Sequence, residues 1–439
     1  MFELQGGVLI INLKSVLINH PNCLSSRASF KSILMDKYPA EKRTVNILTI
    51  LFECGVASKI QAKTSIDPNE MQGLITQIEN EYGITGQYSQ EAILIWADAF
   101  GVNATSIQLS PQVAQPPNNV APQATVWEYI DLGNNTVELI AYKGKLPIQI
   151  VFPDCVDGKT VVSIGSTALG DTKLKGSDRI NIESVVVPKG VRRIDSNAFM
   201  GCKALKDVSL PEGLDSIGEN SFKNCKALSR ISLPQGIRFI GNYAFAGSGI
   251  RSIVLPGSIG SVSKGAFSNC KQLSSVTILE GISTIQSEAF SGCKAIASIA
   301  LPDGVTAIEA SAFYDCKGLN RVSIPDSVKY IEYRAFAYCT DLTNVTLPQG
   351  LKILEQEVFS CCGFGSFVVP DGVIQIKEDA FANCWSLTRI TIPESVTKIN
   401  ADTFFNILSD IHIECYRDSY AHKWATSHKA KFELIEKPQ

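Results

Sequence analysis

Leu228-Ser-Arg-Ile-Ser-Leu-Pro-Gln-Gly-Ile-Arg-Phe-Ile-Gly-Asn-Tyr-Ala-Phe245 holds the features that decide the fold. Ile231 and Leu233 alternate with Arg230 and Ser232, the period of a strand with one buried face. Pro234 has no N–H to give a ladder, so it ends the strand. Pro234-Gln-Gly236 predicts a type I turn with Pro at its second position and Gly at its fourth. Ile240 and Phe245 then return to the core, and Ala244 is small enough for a tight bend. One such segment cannot bury its own apolar side.

The chain solves this by repetition. Phe199, Phe222, Phe245, Phe267, Phe290, Phe313, Phe336, Phe359, Phe381 and Phe404 recur every 23 residues, with two steps of 22. A proline column from Pro188 to Pro393 keeps the same steps, with Leu279 as its one substitute. So does an aliphatic column from Ile194 to Ile399. Registered columns of this kind mark stacked units that bury their apolar sides against one another. Both short steps lose one residue before the next strand, at Ser248-Gly249-Ile250 and at Cys362-Gly363-Phe364. Each carries glycine, which relieves tight backbone geometry. Residues 139–144, 148–153 and 157–164 read as diverged first coils, with a loop inserted near residues 170–179. At the other end Tyr420, Ala421, Trp424 and Ala425 form a helical apolar stripe, with Ser419 or Asp418 as N-cap. A helix there shields the open end of the stack.

The repeated I-x-L-P-x-G-V-x-x-I-G-x-x-A-F-x-x-C unit, the opening Y-K-G…D-G-K-x-V-x-x-I-G and the closing D-S-Y-A-x-x-W-A resemble the BspA-like leucine-rich-repeat family over roughly residues 126–435. The resemblance implies a right-handed solenoid, bacterial or protist origin, and adhesion or protein binding. It supplies no catalytic residue. The expected fold class is therefore an α+β repeat protein: a leucine-rich-repeat solenoid of about 23-residue coils with a C-terminal capping helix, preceded by a small all-helical domain. The expected divisions are a helical bundle at 1–104, a Pro/Gln/Asn-rich linker at 105–125, the solenoid at 126–408 and a C-terminal cap at 409–439. In the first of these, Asp67-Pro68-Asn69-Glu70 supplies an N-cap, Pro at N1 and Glu at N3. Ala92, Ile93, Trp96, Ala97 and Phe100 share one side of a helix ending on Gly101, and residues 45–60 read as another amphipathic run.

Composition bounds the function. Charged residues are 19% of 439 and the net charge is −3, which gives no electrostatic case for nucleic acid or an anionic membrane. No apolar run approaches the ~20 residues of a membrane span. Glu3 stands where a signal peptide carries Lys or Arg, so a cytoplasmic location is expected. The alternative is the cell surface or secretion by a non-Sec route.

Thirteen cysteines raise the question of disulfides or metal. Cys202, Cys225, Cys270, Cys293, Cys316, Cys339, Cys362 and Cys384 share one repeat position, and Ser248 and Ile407 replace them. Packing tolerates such replacement, whereas a metal array does not, so the column reads as buried thiols. His412, Cys415, His422 and His428 have zinc-ligand chemistry, but a six-residue spacing is poor for one helical face. No phosphate loop, dinucleotide fingerprint or nucleophile elbow occurs. No catalytic residue, cofactor or metal is predicted.

What remains is surface. The outward strand positions carry mostly small side chains, Ser252, Ser275 and Ser298 among them, with Arg230, Arg321 and Arg389 as the large exceptions. The densest unusual cluster is Tyr330, Tyr333, Arg334 and Tyr338, with Tyr314 one coil earlier. Tyr and Arg are enriched at interface hot spots. These eight residues are the candidate partner-binding surface. The expected function is a non-catalytic protein-binding scaffold acting through protein–protein interaction. The alternative is an exported surface adhesin that binds host or matrix proteins.

Overall fold

The computed structural model describes residues 13–20, 24, 27–38, 45, 48, 49, 51, 52, 55–82, 86–104, 126–169 and 178–436. The chain forms two compact units, Met1–Gln115 and Pro116–Gln439. The predicted linker at 105–125 and most of the inserted loop at 170–179 lie outside the described residues.

The first unit contains helices at Leu13–Asn19, Arg27–Lys37, Val56–Gln61, Pro68–Tyr82 and Gly86–Phe100. The Asp67 carboxylate accepts from the Asn69 and Glu70 amides while Glu70 accepts from the Asp67 amide, the reciprocal cap read from the sequence. Gly101 ends the last helix at φ 71. Trp96 is fully buried, stacked on Phe30 at 5.4 Å, and donates its indole N–H to the Leu48 carbonyl. Residues 45–60 are not one continuous run: Gly55, in the left-handed region at φ 74, starts a separate helix. A short parallel pair, Ser65–Ile66 with Asn103–Ala104, adds to the helices.

The second unit is a β-solenoid of about 13 turns of about 23 residues. Each coil has three sides. The first carries strands such as Ser298–Ala300, Arg321–Ser323 and Asn344–Thr346, paired in parallel one repeat apart. The second carries two-residue strands such as Ala307–Ile308 and Tyr330–Ile331, paired likewise. The third has no strands, yet it is laddered as well. There the Phe N–H donates to the next coil, as from Phe290 to the Ala312 carbonyl at 2.8 Å and from Phe313 to the Ala335 carbonyl at 2.9 Å.

This third side, the turn face, needs two left-handed residues per coil, one two places before the phenylalanine and one two places after. The first position is held by Asn197, Asn220, Tyr243, Gly265, Glu288, Ser311, Arg334, Glu357 and Asp379. The second is held by Gly201, Asn224, Gly247, Asn269, Gly292, Asp315, Tyr338, Cys361, Asn383 and Asn406. Asn, Gly and Asp dominate because they tolerate φ > 0 at least cost.

The phenylalanines form a continuous file inside. From Phe199 to Phe404 all are buried, and neighbouring ring centroids lie 5.0 to 5.9 Å apart. The file ends on Trp127 through Phe152 and on Trp424, which meets Phe404 edge-on at 5.8 Å. The column cysteines lie beside it, buried, and most hand their S–H to the Phe carbonyl of the preceding coil: Cys225 to Phe199, Cys293 to Phe267, Cys316 to Phe290 and Cys339 to Phe313, at 3.0 to 3.2 Å. Burial raises their pKa, to about 12 for Cys316 and Cys384.

Both ends are closed. Trp127–Gly133 and Thr136–Tyr142 form an antiparallel hairpin turning on left-handed Asn134 and Asn135. Thr136–Tyr142 also pairs in parallel with Lys159–Ile164, Leu139 beside Ile164, so residues 139–142 open the second-side ladder as a first coil, while Gln149–Val151 opens the first-side ladder. At the far end Ser419 caps helix Tyr420–Ser427 by accepting from the His422 amide. Ala421, Trp424 and Ala425 of the stripe are buried as expected, Tyr420 is exposed, and a further strand, Lys431–Ile435, pairs with His412–Tyr416.

Three expectations about the coils are corrected. Residues 228–233 form no ladder strand, although Ile231 and Leu233 are buried and Arg230 and Ser232 exposed. The next coil arrives after the first 22-residue step and leaves only an entry bond, Arg251 N–H to the Ser229 carbonyl. The Pro-x-Gly turn is shifted by one: Ile237 donates to the Pro234 carbonyl, so Pro is first and Gly third. The ring ends the strand and its carbonyl closes the turn. Ser252, expected on the outward face, is 4% exposed.

Candidate functional site

The eight predicted surface residues fall on three sides. Arg230, Arg321 and Arg389 are exposed on the first side. Arg389 is occupied there by ion pairs with Glu414 and Glu433, and Glu414, hydrogen-bonded by Thr391 and Arg389, has its pKa lowered. Tyr330 is 65% exposed on the second side, beside a groove of about 510 Å³ that also includes Lys329 and Lys352. Tyr314, Tyr333, Arg334 and Tyr338 come together on the turn face.

Their grouping follows from the coil geometry. Arg334 (φ 56) and Tyr338 (φ 64) occupy the two left-handed positions of the coil around Phe336. That conformation swings both side chains clear of the core. The Arg334 guanidinium lies 4.8 Å from the centre of the Tyr333 ring and forks onto Glu357 of the next coil at 2.6 and 2.9 Å. Bonding to Glu357 raises the Arg334 pKa further. Tyr338 stands 5.3 Å from Tyr314, ring centre to ring centre.

Sequence reading missed how the surface continues. Arg334, Tyr338, Glu357, Asp379, Asp402 and Phe405 line one groove of about 450 Å³ beside the second 22-residue step. Burial and the neighbouring Glu357, Asp402 and Glu378 raise the Asp379 pKa. Phe405 is 52% exposed. A matching groove of about 690 Å³ lies beside the first 22-residue step, lined by Lys223, Lys226, Tyr243 and Lys271 among others. The signal was present in the recurring Asn or Gly just before the column cysteine, which marks the turn face.

The histidine–cysteine grouping does not converge. His412 is exposed and Cys415 buried, three residues apart on one strand. His422 Nδ1 accepts from the Asp418 amide, and His428 stacks on Trp424 at 4.2 Å. Among the described residues no three His, Cys, Asp or Glu side chains gather as metal ligands, and no helix is long and apolar enough to cross a membrane.

A family model described as a BspA type leucine rich repeat region matches six copies across residues 177–297 and 284–411, more than half of the chain. Among solved structures, a leucine rich cell surface protein from Faecalibacterium prausnitzii A2-165 is 26% identical. That likeness covers 68% of this chain and 95% of the other, with a TM-score of 0.41. A leucine-rich repeat protein from Bacteroides ovatus ATCC 8483 is 24% identical over 71% of this chain and 98% of its own, at a TM-score of 0.37. The pneumococcal vaccine antigen PcpA is 16% identical over 71% and 97%, at 0.40. No curated protein matches. With its repeat columns, its capped ends and the family match over most of its coils, this chain belongs to the BspA type leucine rich repeat family.

Proposed function

We propose that the chain is a non-catalytic protein-binding scaffold whose partner docks on the turn face around Tyr314, Tyr333, Arg334 and Tyr338. The observation that carries this reading is the pair of large side chains at Arg334 and Tyr338. Both backbone positions are left-handed; other coils fill the Tyr338 position with Asn, Gly or Asp except at Cys361, and the Arg334 position with Asn, Gly, Ser or Asp except at Tyr243, Glu288 and Glu357. A large residue in such a conformation costs stability, of order 1–3 kcal/mol, and residues of this kind cluster at functional sites. Here the cost sets an aromatic and guanidinium cluster on the surface, the composition of an interface hot spot. Exposed Phe405 extends it by apolar area.

The test separates binding from folding. Tyr338→Asn places in this coil the residue that Asn383 supplies two coils later. Its melting temperature is expected to equal or exceed that of the unaltered chain. A protein captured by the unaltered chain from extracts of the source organism is expected to bind the variant at least tenfold more weakly. Equal affinity for both chains would remove the partner from this face. The proposal includes a reducing, cytoplasmic compartment, supported by the column of free thiols donating to carbonyls. A thiol count on denatured protein, taken without reductant, tests it: a count several short of thirteen favours an exported adhesin instead.

A further inference from the structure

The groove at the first 22-residue step is chemically opposite to the one just described. Coils on either side of it place a lysine directly after the column cysteine: Lys203, Lys226, Lys271, Lys294 and Lys317, all exposed. At the shortened coil this position is Gly249, packed so close that a Cβ would collide with the Lys226 carbonyl oxygen. The missing side chain leaves a notch between Lys226 and Lys271, deepened to about 690 Å³ and walled by Lys223, Asn224 and Asn269.

Charge at the notch is uncompensated. Lys294 and Lys317 are drawn to Asp315, at 2.9 and 3.7 Å, but Lys226 and Lys271 form no ion pair among the described residues. The one carboxylate in the groove, Glu288, accepts from the Tyr243 hydroxyl at 3.3 Å. The one aromatic ring, Tyr243, offers no stacking platform. Lys223 lies over it at 5.3 Å, and it packs so tightly on Gly265 that any Cβ there would strike it. Proteins that bind single strands add bases stacked on open aromatic rings to the charge of a basic groove. This groove has point charges and amides without such rings. An extended polypeptide rises about 3.3 Å per residue, so alternate carboxylates fall about 6.6 Å apart. Lys226 and Lys271 stand two coils apart, roughly 9.6 Å at about 4.8 Å per coil, and their flexible stems close that distance to the carboxylate spacing.

We propose that this notch seats an extended acidic polypeptide segment, with its carboxylates on Lys226 and Lys271 and its backbone against Asn224 and Asn269. The proposal rests on the protein-binding reading but uses a different groove. Its test is fluorescence anisotropy of the full chain with a labelled Glu-rich peptide, beside a single-stranded oligonucleotide and a sulfated oligosaccharide of equal charge. The expected result is preference for the peptide, binding that weakens as salt rises from about 50 to about 200 mM, and at least tenfold loss in the double variant Lys226→Glu/Lys271→Glu. Lys398→Glu, on the second side, is expected to bind as the unaltered chain does. Equal or tighter binding of the oligonucleotide or sugar, equal loss in Lys398→Glu, or no peptide binding overturns the proposal. Low-salt self-association abolished by the double variant would assign the notch to a second copy and overturn it too. Loss of peptide binding with capture through Tyr338 intact sinks this inference alone; loss of the Tyr338 effect with peptide binding intact sinks only the wider reading.

Discussion

At the scale of single residues, the cysteine column acts as both packing and hydrogen-bond donor. The sequence exposes the packing, because Ser248 and Ile407 interrupt the column without breaking the repeat. It hides the bonds, since nothing in a lone thiol announces a carbonyl 26 positions earlier, as between Cys316 and Phe290. Two measurable consequences follow. In the native chain Cys155, which is exposed, and half-buried Cys361 react promptly with a thiol reagent, while the buried column reacts slowly. Prompt reaction of the column would show that it is open to solvent. The second consequence is alkaline instability. An unfolded thiol ionises near pH 8.5, whereas Cys270 is held at about 11 and Cys316 at about 12 by burial. The contribution is thus whole below about pH 8.5 and is lost as pH climbs toward the folded values, by about 1.4 kcal/mol per unit and thiol. Urea midpoints should fall steeply between pH 9 and pH 11, and less steeply in Cys316→Ala. A flat profile over that interval would contradict buried, protonated sulfur.

At the scale of the element, the coil is a three-sided unit of which the sequence shows two sides clearly. Strand alternation and the aliphatic column are periodic hydrophobic signals, and the file of rings confirms them. Phe290→Ala, deep within that file, is expected to cost roughly 3–5 kcal/mol by chemical denaturation; a loss under about 1 kcal/mol would place the ring outside. The third side escapes such reading because its signal is conformational: Asn224, Asn269 and Asn383 each sit at a positive φ, which a hydrophobic period does not report. The strand at 228–233 fails for a related reason, since its alternation is intact but the shortened following coil disturbs the ladder. Gly249 and Gly363 show what shortening demands. At either one a Cβ would enter a carbonyl of the coil before, Lys226 or Thr340. Gly249→Ala should therefore destabilise by about 1–3 kcal/mol, as overpacking does, while Gly236→Ala, with open space around it, stays within about 1 kcal/mol. Similar values for the two would refute close approach as the reason for glycine.

At the scale of the whole molecule, stacked coils depend on their neighbours in sequence, so residues 126–439 should fold without the preceding unit. A calorimetric scan of that fragment is expected to show a cooperative transition; its absence would mean that the first unit supplies part of the fold. The repeat count and the closing helix were legible because they rest on periodicity. The opening hairpin was not, though Asn134-Asn135 between two alternating runs is a turn signal. The candidate surface was half legible: aromatic composition pointed to Tyr314, Tyr333 and Tyr338, but only the coil geometry separates them from Tyr330 and joins them to Asp402 and Phe405. The placement of the tryptophans carries one more consequence. Of four in the chain, one terminates the ring file at each end, Trp127 and Trp424, a third is exposed at Trp385 and the last is Trp96 in the other unit. Replacing Trp96 and Trp385 with phenylalanine, then either terminal indole in turn, leaves a fluorophore at one tip only. Its emission reports the melting of that tip, so fraying from the hairpin, fraying from the helix and simultaneous loss of all coils become three distinguishable optical traces.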